Sequence, residues 1–553
     1  MLRTAVAAAL VLLGIGCAAG PDDAVPDGGT AGGPDAATPP PADAGVDGAP
    51  PFPVARCGET RAPLPPLVED RRVYQQETLG VWEAHVTITD LDDFAAVNAN
   101  IPGASVPVIF REGDFGAGAR EPNGVLSIRG GFSRLNAQKN YKIQLDDGAG
   151  RWRGQKEINL NKHMTDLTRI RNKMSFDFFQ SIPDLTSLRT QFVHLTVNDE
   201  DYGLYTWIEE PDHRFLESHG LDPDGSLYKA VLFNFQAIDP AIASDPDDWR
   251  MIVEAKANPD DAKFLRMVAA VNDPNVSPAD LIATYFNRDN LITWAAVNVL
   301  LNDVDVRTQN YYLYSPSTCE GWYILPWDYD GAWGFYAQLT DVDRTRQRWE
   351  AGLANYWPMH LFKRFLSDPA NVAAVDAKLR ELASTRLTDA ATAAAIARYH
   401  DLVLPYIARN PDLAHLPGHY AGAPDAQGVT IWEGELARIT STTSRYLAEY
   451  DQVLERPMPV FLGDHTTNGV TTLSWDRSFD LQHDPIVYDF QLATAPDFSP
   501  ASLVMQDLGT TEDDEHLSNL APGTYDFRVV IRDTHHADAW QLPYDDYRTV
   551  TVP

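Results

Sequence analysis

Cysteine is scarce in this chain: Cys17, Cys57 and Cys319 are the only three in 553 residues. None has histidines at ligand spacing, which excludes a structural zinc site of the four-ligand kind. Basic residues are also few, 44 Lys and Arg against 78 Asp and Glu, for a net charge of −34. So acidic a chain repels phosphate backbones, so no nucleic-acid partner is expected and the excess carboxylates serve solubility. The apolar run at residues 5–15 is too short for a comfortable transmembrane helix. There is no Gly-x-Ser-x-Gly elbow and no His-Glu-x-x-His pair. His163, His194 and the pair His535-His536 lack spaced partners and read as core or surface histidines. Hydrolase chemistry finds no support.

What is present begins with a targeting segment. Arg3 precedes the short apolar run, and residues 13–17 (LGIGC) close it on small residues before Cys17. This resembles a bacterial lipobox, which implies export and a membrane anchor at a lipidated Cys17; ordinary cleavage near Ala19 is the alternative. Residues 18–56 are Pro, Ala, Asp and Gly with almost nothing to bury, so they read as a disordered linker. Cys57 and Cys319 remain, either bridged in an oxidising compartment or free.

From residue 81 the pattern is strand-like, with further strands at 105–110, 126–129, 141–145, 192–197 and 204–208 and a helix at 170–179. Residues 235–288 read as a helical insertion. Apolar residues recur at three and four in 359–366, 374–383, 390–407 and 434–453, which predicts packed helices. After Pro457 the chain alternates again, at 471–475, 486–492, 523–532 and 549–552, which predicts a small β-sandwich over 457–553. Trp475 in an early strand and the 520–525 entry (LAPGTY) resemble a fibronectin type III module. Because its strands start only after Pro457, this tail is expected to be dispensable for chemistry.

The chemistry concentrates in two acidic segments. Residues 302–310 (NDVDVRTQN) follow an apolar helix at 290–301, and Asp305 and Asn310 form a D-x-x-x-x-N spacing. Two short strands, 311–314 and 322–325, then lead to residues 327–331 (WDYDG). Helix, acidic loop ending in Asn, hairpin, acidic loop ending in Gly is the order in which protein kinases deliver a catalytic Asp, a metal-binding Asn and a metal-binding Asp. Carboxylates at alternate positions, Asp328 and Asp330, repel one another unless a cation lies between them.

At these residues the chain resembles the CotH kinase family of atypical kinases. Residues 127–134 (SIRGGFSR) with 139–145 (KNYKIQL), 165–174 (TDLTRIRNKM) and 195–205 (LTVNDEDYGLY) match that family's segments in the same order. Where the family has paired lysines this chain has Gln138-Lys139. The resemblance covers roughly residues 105 to 335 and implies an α+β protein, an atypical protein-kinase-like catalytic domain over 57–456 followed by the small all-β sandwich. It implies ATP with Mg or Mn as cofactors and a Ser or Thr hydroxyl of an extracytoplasmic or surface protein as acceptor. Asp305 is then the catalytic residue, with Asp303 as a competitor. Asn310, Asp328 and Asp330 hold metal. Lys142 or Lys139, oriented by Glu209, aligns the phosphates, and Arg129 contacts phosphate or substrate.

Two other readings compete. A non-catalytic surface or coat lipoprotein could keep the kinase-like shell as a binding module. Asp328-Tyr-Asp330 could also serve as the Asp-x-Asp of a glycosyltransferase, against which stands the lack of a doubly wound sheet pattern.

Overall fold

The computed structural model describes residues 64–338, 347–417, 425–467, 470–517, 521–536 and 538–552. The expected signal segment, the linker and Cys57 lie outside the described residues. Seven strands open the fold: β1 (Val81–Ile88), β2 (Ser105–Glu112), β3 (Gly124–Ile128), β4 (Tyr141–Leu145), β5 (Glu157–Asn161), β6 (Thr190–Val197) and β7 (Glu200–Ile208). They form a closed barrel in the order β1-β2-β3-β4-β5-β7-β6, sealed by parallel pairing of β1 with β6. Alternation decides the faces. Leu126, Ile128, Tyr141, Ile143 and Leu145 point inward among Phe110, Trp152 and Trp207, while Ser127 and Lys142 are left outside. Trp152 and Trp207 meet edge to face at 5.1 Å.

A second sheet follows: β8 (Ser226–Ala230), β9 (Val253–Ala257), β10 (Tyr311–Ser315) and β11 (Tyr323–Pro326), ordered β11-β10-β8-β9. The expected hairpin is present, with Tyr312 opposite Leu325. Cys319, in its turn, is disulfide-bonded. The expected helical insertion needs correcting, because Val253–Ala257 is a strand paired with β8 between short helices. Its alternation was too brief to separate from helix by periodicity.

The helix Arg288–Leu301 is the central post. Asn287 caps it by accepting from the amide of Asn290, and every residue from Asn290 to Leu301 is buried. A helix apolar all round must be covered on all sides, here by the sheet and by the helices Pro369–Thr385 and Thr442–Val453. Asn302 ends it in a left-handed conformation, φ 50°, which turns the chain into the acidic loop. Among the described residues no helix is long and apolar enough to cross a membrane.

The tail strands are β12 (Leu462–Thr467), β13 (Val470–Trp475), β14 (Ile486–Ala493), β15 (Leu503–Thr510), β16 (Asp514–Leu517), β17 (Gly523–Asp533), β18 (Trp540–Gln541) and β19 (Arg548–Val552). They form sheets ordered β12-β13-β16 and β15-β14-β17-β18, with β19 also on β17. The tail is not a detached bead. Trp349 donates to the carbonyl of Tyr544 at 3.0 Å and packs on its ring, and Trp357 stacks on Phe479 at 5.3 Å. Met458, Leu481 and Tyr544 belong to the main core.

Candidate active site

The two acidic loops meet in a cleft where the barrel faces the second sheet. Asp305 is gripped from its own loop: Gln309 Nε2 and Asn310 Nδ2 each donate to one carboxylate oxygen at 2.9 Å. Its backbone N–H donates to Asp303 Oδ1 at 3.1 Å. Asp303 is fully buried, which, with repulsion from Asp330 and Asp328, pushes its carboxyl up to about 8. Burial and the Asp303 charge likewise raise Asp305 well above the carboxylate range. Of the competitors for the catalytic role, Asp303 supports the loop from beneath, whereas Asp305 lines the cleft.

Asp328 and Asp330 stand across from this loop. Burial first and Asp330 second raise the carboxyl of Asp328. His163 joins them. Its Nδ1 lies 3.0 Å from Asp330 Oδ2, and Asn172 Nδ2 lies 3.5 Å from its Nε2 and 3.4 Å from Asp328 Oδ1. Burial alone would push the His163 imidazole down, but Asp330, Asp328 and Asp166 hold it above its ordinary value. Donor atoms of His163, Asp328 and Asp330 all lie within 4.8 Å of one another. A carboxylate such as Asp328, whose charge is disfavoured by burial and by a neighbouring carboxylate, is what a divalent cation stabilises, so this donor set fits a metal ion. His163, Asn310 and Asp328 share a positive φ, at 47°, 63° and 53°. Gly331 completes the packing: a Cβ there would stand 3.5 Å from the Cβ of Asp305, so the loops meet closely.

The remaining expected residues divide. Arg129 lines the cleft, donates to Asn161 and lies over the ring of Trp327 at 5.8 Å. Lys142 points out of the barrel, pairs with Glu157 at 3.6 Å and is not among the residues lining the cleft. Lys139 donates to the carbonyl of Arg134 at 2.7 Å and lines a separate hollow with Tyr202 and Pro411. Glu209 orients neither lysine, which corrects the expectation from sequence. It accepts from Arg189 Nε at 2.8 Å and contacts His219 Nε2 at 2.9 Å in a buried network. Burial opposes its charge, yet His219 and Arg189 hold it down to about 2. The next residue, Glu210, is also buried, accepting from Asn159 at 2.8 Å and pairing with Lys256 at 3.4 Å.

Sequence reasoning missed His163, Asn172 and Lys229. Lys229 lines the cleft from β8, and its signal was the one used for Lys142, a lone lysine in a short apolar strand.

A family model described as CotH kinase protein matches residues 126–445, more than half of the chain. The chain belongs to the CotH kinase family. It is 27% identical over 214 residues to the inner spore coat protein H of Bacillus subtilis (strain 168), a match covering 38% of this chain and 58% of that relative's length. Among solved structures it is similar to the Shewanella oneidensis MR-1 toxin–antitoxin complex of HipA, HipB and operator DNA, at 11% identity and a TM-score of 0.25, over 66% of this chain and 73% of that one. It is also similar to the Helicobacter pylori proinflammatory kinase CtkA, at 10% identity and a TM-score of 0.19, over 59% and 91%. Superpositions that low carry no argument about this chain.

Proposed function

We propose that this CotH-family protein moves the γ-phosphoryl group of ATP to a Ser or Thr hydroxyl of an extracytoplasmic or surface protein, using Mg or Mn. The observation that carries the reading is the convergence of Asp305 and Asn310 from one loop with Asp328, Asp330 and His163 from others around a single cleft. Asp328, Asp330 and the Asn310 carbonyl oxygen would hold the metal, which when bound neutralises charge on the transferring phosphate. Asp305 orients the acceptor hydroxyl and takes its proton as the oxygen–phosphorus bond forms and the bond to the ADP oxygen breaks. Gln309 and Asn310 fix the direction of that carboxylate, and Asn172 approaches Asp328 at 3.4 Å while His163 holds Asp330 at 3.0 Å.

The spore-coat relative supports a surface or coat location, and the LGIGC segment supports anchoring at Cys17; membrane partition lost in Cys17→Ser is the expected result. The tail reads as fibronectin type III-like. Its three-strand and five-strand sheets support a sandwich, and the Tyr525 hydroxyl donating to the carbonyl of Ala521 at 2.9 Å supports an immunoglobulin-like class of it.

The reading is tested by calorimetry of ATP and metal ions on the purified protein, with radiolabelled transfer on the same preparation. Protein that binds neither ATP nor metal overturns it in favour of a structural surface role. Binding without transfer to any protein points to a pseudokinase or to a non-protein acceptor.

A further inference from the structure

The tail meets the catalytic domain through more than aromatic rings. Glu455 lies two residues beyond the helix Thr442–Val453, which packs on the central helix. Against that helix end stands the loop between β13 and β14. Gln482 Nε2 donates to the carbonyl of Leu454 at 3.2 Å, and the amide of Met458 donates to the carbonyl of Phe479 at 2.8 Å. The end of β17 joins the same loop, the Thr534 amide donating to the carbonyl of Pro485 at 3.0 Å. These three segments bring together Glu455, Asp484, Asp533 and His536, whose donor atoms all lie within 4.8 Å of one another. His536 Nδ1 touches Asp533 Oδ2 and lies 3.6 Å from both Glu455 Oε2 and Asp484 Oδ2. Sequence spacing offered His536 no such partners; the fold supplies three.

A second observation points to a ligand. Asp480 is 3% exposed, and its Oδ1 accepts from the amides of Gln482 and Asp484 at 2.8 and 3.1 Å. Its buried Oδ2 has no hydrogen-bond partner among the described residues. Burial and the charges of Asp533 and Asp484 raise its carboxyl, so it is an unsatisfied acid set against other acids. His535 Nδ1 holds Asp484 Oδ1 at 2.7 Å and so fixes that carboxylate's direction.

We propose that Glu455, Asp484, Asp533 and His536 form a divalent-cation site that fastens the tail to the last helix of the catalytic domain, with Asp480 adding charge beside them. One imidazole nitrogen among carboxylate oxygens suits Mn2+ better than Ca2+, which takes oxygen ligands alone. The ion takes the place of the proton that His536 Nδ1 shares with Asp533 Oδ2, and that proton passes to solvent as the nitrogen–metal bond forms. No residue of this site lines the cleft, so the proposal is independent of phosphoryl transfer.

The test is titration of the full-length protein with Mn2+, followed by the electron paramagnetic resonance of the free ion, with thermal melting of the same samples. His536→Gln and Asp484→Asn each lose one Mn2+ per chain or weaken it by about tenfold or more, as removal of one charged partner does, and lose the rise in melting temperature that this ion brings. Asp328→Asn leaves the tail ion in place. Folded His536→Gln and Asp484→Asn proteins that bind as many Mn2+ ions as wild type, with the same affinity, overturn the site and leave His536 as a protonated counter-ion. Ca2+ that binds as tightly as Mn2+ overturns His536 as a ligand. Loss of all Mn2+ binding in Asp328→Asn assigns the metal to the cleft alone and overturns the proposal as well.

Discussion

Asn310 donates through Nδ2 to Oδ2 of Asp305 at 2.9 Å, so the residue expected to touch metal also aims the residue expected to touch the acceptor. The amide is thereby divided between two tasks. Its nitrogen is committed to Asp305, which leaves the carbonyl oxygen to turn toward a cation.

This division separates binding from turnover. Asp328→Asn removes a charge at the cation and weakens metal-dependent ATP binding. Asp305→Asn leaves nucleotide binding largely intact and lowers phosphoryl transfer by about 10²–10⁴, the usual worth of a general base. Calorimetry and radiolabelled transfer on the same preparations check both. Equal losses in the two assays for Asp305→Asn would show that the carboxylate serves the metal instead.

His163 touches Asp330 rather than an acceptor or nucleotide, so its effect reaches the metal first. His163→Phe lowers Mn2+ affinity by about tenfold or more, in the range of other groups that orient metal ligands. Titration followed by the electron paramagnetic resonance of free Mn2+ reads this directly. An affinity unchanged in folded protein would make His163 a packing residue.

The tail contributes stability to the catalytic domain. A chain ending at residue 456 uncovers Trp349 and Trp357 and removes Trp540, whose carbonyl accepts from Arg348 Nη2 at 2.9 Å. Loss of such aromatic packing lowers the free energy of unfolding by about 3 kcal/mol or more, as truncating a buried Phe or Trp does. Urea denaturation of the two lengths measures it. Coincident curves would restore the view of the sandwich as an independent appendage.

The buried network around His219 predicts a pH profile. His219 lies between Glu69 at 2.6 Å and Glu209 at 2.9 Å; burial opposes its charge, but these carboxylates raise it from 6.5 to about 9. A raised base stabilises fully below its unfolded pKa, and that contribution is lost as pH climbs through about 9. Glu209, lowered from 4.5 to about 2, stabilises above 4.5 and loses this as pH falls toward 2. Stability from this network is therefore greatest between roughly pH 4.5 and 6.5, and falls by at most roughly 3 kcal/mol from there into the alkaline range. Denaturation midpoints from pH 6 to 10 show the slope, and His219→Gln flattens it.

The acidic loops were legible because they are local. The D-x-x-x-x-N spacing and the Asp-x-Asp segment flank one hairpin, and the strand pattern between them was unmistakable. Partners recruited over long separations were not. His163 reaches Asp330 across the fold, and Lys229 is brought in only because β8 pairs with β10, a register that no local pattern announces. Glu209 illustrates a finer limit. Its buried partners, Arg189 and His219, lie 20 and 10 residues away, so no local pattern showed that its carboxylate was already committed. The strands after Pro457 were also legible, but their docking was not, since the aromatic rings that join them to the core lie at scattered positions.

Three residues around the metal carboxylates, His163, Asn310 and Asp328, hold left-handed backbone conformations. Each costs about 1 kcal/mol or more relative to ordinary geometry and persists only where surrounding packing dictates it. The pocket is therefore shaped during folding, before any ion or nucleotide arrives, and loading it requires little further movement of the chain. Such a site resembles a cast mould more than a closing hand. It also determines how it should be dissected: asparagine tolerates this conformation at least as well as aspartate does, whereas a β-branched replacement at position 328 would distort the mould and report on backbone strain instead of charge.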